Sequence, residues 1–153
     1  RNARTVAGDI TIGEGSQVGS LTTVAGEIRL AANVRVEGWI STVVGDVHIA
    51  RDCVINGDVI TEDGHITLTR SVVAGDVTVT GGRLDLTGSW ITGVLRVKAP
   101  DDDDDDDRAI INIGPDSEVA EIVVERKALA RLRIHRSAQV GSVQGIVAEY
   151  YVR

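Results

Sequence analysis

The chain has 153 residues, enough for one domain with a sizeable core and too few for a second, separate catalytic domain. Apolar residues make up 42% of it, yet Phe and Met are absent and aromatics reach only 3%, so any core is built from Val, Ile, Leu and Ala, with 17 glycines to turn the chain. The net charge of −7 equals the run Asp101 to Asp107; without it acidic and basic residues balance at 16 each, which disfavours nucleic acid as a partner.

In chain order, the first clear elements are pairs of apolar residues two apart: Ile10/Ile12, Ile28/Leu30, Val47/Ile49, Ile66/Leu68 and Leu84/Leu86. They return every 18 or 19 residues, and a period of this size marks repeats that bury their apolar faces only by stacking. Two glycine series follow the same step, Gly8, Gly26, Gly45, Gly64, Gly82 and Gly19, Gly38, Gly57, Gly75, Gly93. A third apolar column runs Leu21, Ile40, Val59, Val77, Leu95, Ile122 and Val143. Three short strands per repeat, separated by turns, describe a triangular parallel β-helix. Its seven to eight coils would make a rod about 35 Å long at ~4.8 Å per coil. Within each strand, as in Asp46-Val47-His48-Ile49, period-two alternation puts apolar side chains inside and polar ones outside.

Between Leu84/Leu86 and the next pair, Ile111/Ile113, the step lengthens by nine, the length of the segment 100–108, PDDDDDDDR. That segment reads as an acidic insertion looping out of one coil with the register kept. Its carboxylates are hard oxygen ligands of the kind Ca²⁺ prefers, but they lack the glycine and spacing of a preformed calcium loop. Seven like charges also repel into an extended chain. The expectation is a solvated loop and no cofactor, with weak Ca²⁺ contact at Asp103, Asp104 and Asp105 as the alternative. Beyond it, 125–138 carries helix formers, but Leu132 and Ile134 alternate with Arg131, Arg133 and His135, so a strand is expected there, and another over 143–153.

Candidate functional residues are sparse. Cys53 is the single cysteine and reads as a buried structural thiol. His48, His65 and His135 show no convergence of the kind a metal needs, and surface histidines are expected. On the outside of the rod, the column Arg35, Val54, Val72, Trp90 puts three apolar side chains in succession where polar ones belong. Such a stripe marks contact with a partner or cover by the tail through Tyr150 and Tyr151. A β-helix also exposes unpaired backbone at its first and last coil, and neither 1–5 nor 143–153 reads as a capping helix. No apolar run reaches the roughly 18 residues of a membrane span. The chain begins at Arg1, which is read as the start of a processed or trimmed product whose signal peptide would already be missing.

The stretch Cys53 to Leu86, with its turns Ile55-Asn56-Gly57-Asp58-Val59 and Val73-Ala74-Gly75-Asp76-Val77, resembles the bactofilins, polymer-forming cytoskeletal proteins of bacteria. The resemblance covers roughly residues 5 to 98. It implies a right-handed helix that polymerises end to end in the cytoplasm. From 109 onward the chain looks more like the closing segment of exported solenoid proteins of Gram-negative bacteria, which points to the envelope. Ile12, Val18, Val24, Leu30 and Val36, six apart, are similar to hexapeptide-repeat acyltransferases, which use a histidine as general base, here His48. The sixes fail at Thr42 and His48.

These readings converge on an all-β, single-domain right-handed parallel β-helix over 1–153 that is not an enzyme and self-associates end to end into a filament or envelope scaffold. The contact residues expected are Val54, Val72, Trp90, Val143, Tyr150 and Tyr151. The alternative is a surface-binding or adhesion module using the apolar stripe, with an acyltransferase third. An extracellular or periplasmic location is expected, with a cytoplasmic, membrane-associated one as the alternative.

Overall fold

A computed structural model describes residues 2–98, 109–125, 130–145 and 149–152. Among these residues there is no helix; parallel strands stack into a β-solenoid of about seven turns. The sequence asks for this, because β-branched residues alternate with polar ones in runs of two to five bounded by glycine.

Each turn contributes to three faces. Face one stacks Ala3–Ala7, Leu21–Ala25, Ile40–Val44, Val59–Asp63, Val77–Val79 and the second halves of Trp90–Val97, Glu118–Val124 and Gln139–Gln144. Face two is an 8-stranded sheet running from Ile10–Ile12 through Val47–Ile49 and Ala109–Ile113 to Glu149–Tyr151. Face three stacks Gln17–Val18, Arg35–Val36, Val54–Ile55 and Val72–Val73 on the first halves of the long strands. Faces one and three become one hydrogen-bonded set because Trp90–Val97 runs through the corner between them.

The inward columns are those the spacing predicts. Leu21, Ile40, Val59, Val77, Leu95, Ile122 and Val143 are in register on face one, and Ile12, Leu30, Ile49, Leu68, Leu86, Ile113 and Ile134 on face two. From Leu21 to Ile122 the face-one column is fully buried, with no aromatic ring in the core. Burying each such side chain is worth about 1.5–3 kcal/mol before chain entropy is charged.

The corners explain the recurring Gly-Asp pairs. A Cβ on Gly45 would stand 1.9 Å from the carbonyl oxygen of Gly26 one coil below, so only glycine permits the approach. The aspartate that follows reaches to the next coil. The Oδ1 of Asp58 accepts from the backbone N–H of Asp76, and the Oδ1 of Asp76 from that of Val94, both at 2.8 Å. Asp9 and Asp46 do the same for Glu27 and His65 at another corner. Each pair is a structural device in which glycine lets two backbones meet and the carboxylate satisfies a donor that the turn leaves unpaired.

The third corner, between faces two and three, carries a column in the left-handed region: Gly15, Asn33, Asp52, Arg70, Gly88 and Asp116. Inside it runs a ladder of small polar side chains. The N–H of Cys53 donates to Ser71 Oγ, that of Ser71 to Ser89 Oγ, and that of Ser89 to Ser117 Oγ, at 3.2 to 3.4 Å.

One sequence expectation changes at the C-terminal end. The segment 143–153 is not one strand; Gln139–Gln144 ends on face one, Gly145 turns with φ 87°, and Glu149–Tyr151 lies on face two. A Cβ on Gly145 would stand 2.0 Å from the Val124 carbonyl oxygen, which fixes the turn at that residue. Residues Ala130–His135 form a strand, as their alternation predicts. Across the acidic segment the register holds, with Leu84 opposite Ile111 and Asp85 opposite Asn112. The segment itself, with Asp103, Asp104 and Asp105, lies outside the described residues.

Candidate functional site

Four places on the rod carry chemistry or contact area: its two ends, the outer side of face three, a groove on face two, and the buried thiol.

At the ends the core opens. Mid-rod inward residues are fully buried, whereas Ala3, Ile12 and Val18 in the first coil and Val140 and Val143 in the last are only partly covered. Tyr150, in register with the buried Ile134, is 66% exposed. Among the described residues, the first-coil strands pair on one side only, as do Gln139–Gln144 and Glu149–Tyr151. Each end therefore presents free strand edge around an apolar centre. At the last coil, His135 Nδ1 accepts from the Ser137 backbone N–H at 3.1 Å, so the ring proton sits on Nε2, which donates to the Val152 carbonyl at 2.9 Å. The ring of Tyr151 meets His135 edge-on at 5.1 Å, and Arg133 lies 4.7 Å above it. These contacts hold the last strand to face two.

The stripe is on face three. Arg35, Val54, Val72 and Trp90 are in direct register, and the column extends to Gln17 at one end and to Glu118 and Gln139 at the other. Trp90 is 52% exposed. Tyr150 and Tyr151 sit on face two, paired with Ile134 and His135, and do not lie over the stripe. A further exposed apolar row, Val6, Val24 and Val43, stands near the end of the face-one strands. The sequence signals this row only by the single position by which these valines overshoot the inward Thr5, Thr23 and Thr42.

His48 does have polar company. Its Nε2 is 3.3 Å from Glu27 Oε1, and that oxygen also accepts from Arg29 Nε. The hydrogen bond to Glu27, and then its charge, push the pKa of the exposed Arg29 guanidinium up. An open groove of about 520 Å³ runs alongside, lined by Thr11, Arg29, Ala31, His48, Ala50 and Thr67 among others. The carboxylate orients the imidazole, as it would for a general base, but the pair is on an open sheet surface with His48 44% exposed. Sequence spacing missed this contact because Glu27 and His48 belong to adjacent coils at positions two apart along the strand. His65 lies elsewhere on face two, opposite Arg83, and His135 is at the last coil. No group of three or more His, Cys, Asp or Glu among the described residues is arranged to hold a metal ion.

Cys53 is 1% exposed, and its Sγ donates to the Ala31 carbonyl at 3.1 Å. Burial pushes its thiol pKa up, which keeps it protonated and unreactive. It holds the position that serine holds in the following coils, so it is one member of a structural ladder. No helix of the described residues is long and apolar enough to cross a membrane. Comparison with protein-family models, with curated proteins and with solved structures returned no match.

Proposed function

We propose that this chain is a structural protein whose solenoids add end to end into a filament or scaffold. The observation that carries the reading is the pair of open ends: free strand edges surround partly covered Ala3, Ile12 and Val18 at one end and Val143 and the 66% exposed Tyr150 at the other. A strand edge with an apolar centre is a template for another coil. Stacking a second rod in continued register would set Val143 against Ala3 and Tyr150 against Ile12, apolar on apolar. The likeness of Cys53 to Leu86 to bactofilins supports the same reading, as does the structural use of every Gly-Asp pair that carries that likeness. Electron microscopy of the purified chain tests it. Fibres with an axial repeat of one rod, about 35 Å, are expected; dilute monodisperse monomers at every salt concentration would contradict it.

A further inference from the structure

The outer column of face three reads the same way, in chemical terms, from either end. Val72 stands at its centre. One coil away are Val54 and Trp90, both exposed and apolar; two coils away are Arg35 and Glu118, of opposite charge; three coils away are Gln17 and Gln139. Neither the Arg35 guanidinium nor the Glu118 carboxylate has a side-chain partner among the described residues. The next outward row has small or neutral side chains at its centre, Asn56, Ala74 and Thr92, and two coils out it carries Glu37, which accepts from Gln17, on one side and Ala120 on the other.

We propose that this face binds a second copy of the same chain, with the rods antiparallel and related by a two-fold axis that lies along the strand direction at the level of Val72. Coils are evenly spaced at ~4.8 Å, so such an axis brings residues equally far above and below Val72 into opposition. Val72 meets its symmetry mate, Val54 meets Trp90 of the other copy, and Arg35 meets Glu118, twice over. Gln17 and Gln139 close the two margins. An isologous contact needs a self-complementary surface of this kind, with an apolar centre holding a tryptophan and charges outside it that fix the register. A parallel arrangement sets Val54 on Asn56 and leaves Glu118 on Ala120. The antiparallel arrangement keeps the apolar side chains together and pairs Arg35 with Glu118, at the cost of setting Glu37 of the second row opposite Ala120, whereas the parallel one would pair Glu37 with Arg35. The face is two outward rows wide, below the size of a standard stable interface, so the contact forms and parts readily.

The test therefore traps the pair covalently. Sheets packed face to face lie about 10 Å apart, too far for a disulfide, so a short bismaleimide is applied to Val72→Cys in a Cys53→Ser background. A covalent dimer is expected. End-to-end stacking holds the two residues 72 a full rod apart, roughly 35 Å, and gives no such product, so the result is separable from the filament reading. Adding Arg35→Glu alone should reduce the yield about ten-fold, and adding Glu118→Arg to that variant should restore it. Three results would overturn the proposal: no dimer, a dimer equally abundant from the face-one control Thr78→Cys, or a double charge swap that fails to restore the yield.

Discussion

The first five coils and the later ones, from Ala109, share the same three faces but differ in the length of chain that links face one to face two. In the first half that link is short and carries Gly8, Gly26, Gly45, Gly64 and Gly82, with backbone against backbone. In the second half the links from face one to face two, after Val97, Val124 and Gln144, are longer in sequence. The glycine column stops there: Arg83 is opposite Ile110, which sets Gly82 at the level of Ala109, itself opposite Ala130. In this column glycine gives way to alanine beyond Gly82, while elsewhere in the second half Gly114, Gly141 and Gly145 still meet the carbonyls of Leu86, Ala120 and Val124 in the coil below. A second inward column changes at nearly the same level. Thr5, Thr23, Thr42 and Thr61 give way to Val79, Val97 and Val124 in unbroken register.

The strongest way to break this comparison is Gly45→Ala. Its Cβ would lie within bonding range of the Gly26 carbonyl and its φ is 146°, so a loss of about 3 kcal/mol is expected in urea denaturation. Gly8→Ala, with Thr5 Oγ1 at 3.6 Å as its nearest neighbour, should cost clearly less. Equal losses at both positions would mean that conformation, and not coil contact, selects glycine.

Deleting 100–108 sharpens the point. It shortens the corner after Val97 to the length of the one after Val79 and forces Ala109 into the glycine position. A loss of about 1–3 kcal/mol is expected, recovered by adding Ala109→Gly. If the second substitution recovers nothing, the corner length does not govern the column. The smallest effect is a gain. Thr42 Oγ1 and Thr61 Oγ1 are buried without a partner, and valine already serves in the same column one coil on. Thr61→Val should raise stability by roughly 1 kcal/mol, seen as a higher denaturation midpoint with an unchanged slope.

How much of this was legible in the sequence depended on the range of the interaction. The inward columns were, because alternation and the 18 or 19 residue step place Leu21 over Ile40 whatever the details of the turn. The register across the acidic segment followed from the same step. Contacts between coils at different strand positions were not legible; nothing in the spacing joins Glu27 to His48. The left-handed column was hidden as well, because Asn33 and Asp52 advertise such a backbone while Arg70 does not. Cys53 was read as an isolated residue, although its steps to Ser71 and Ser89 had the period of the repeat. The last strand misled because 143–153 is largely apolar, and only Gly145 marks the turn that sends it to another face.

The serine and aspartate ladders have a mechanical consequence. Their hydrogen bonds, like those of the sheets, point along the rod, so a pull on the two ends loads all the bonds of one coil boundary together and the boundaries one after another. Such a rod does not stretch. It holds until its weakest boundary fails and then gives up a whole coil, and the register shift between Ile91 and Val94, opposite Val119 and Glu121, marks the boundary where tension would find the least uniform set of bonds.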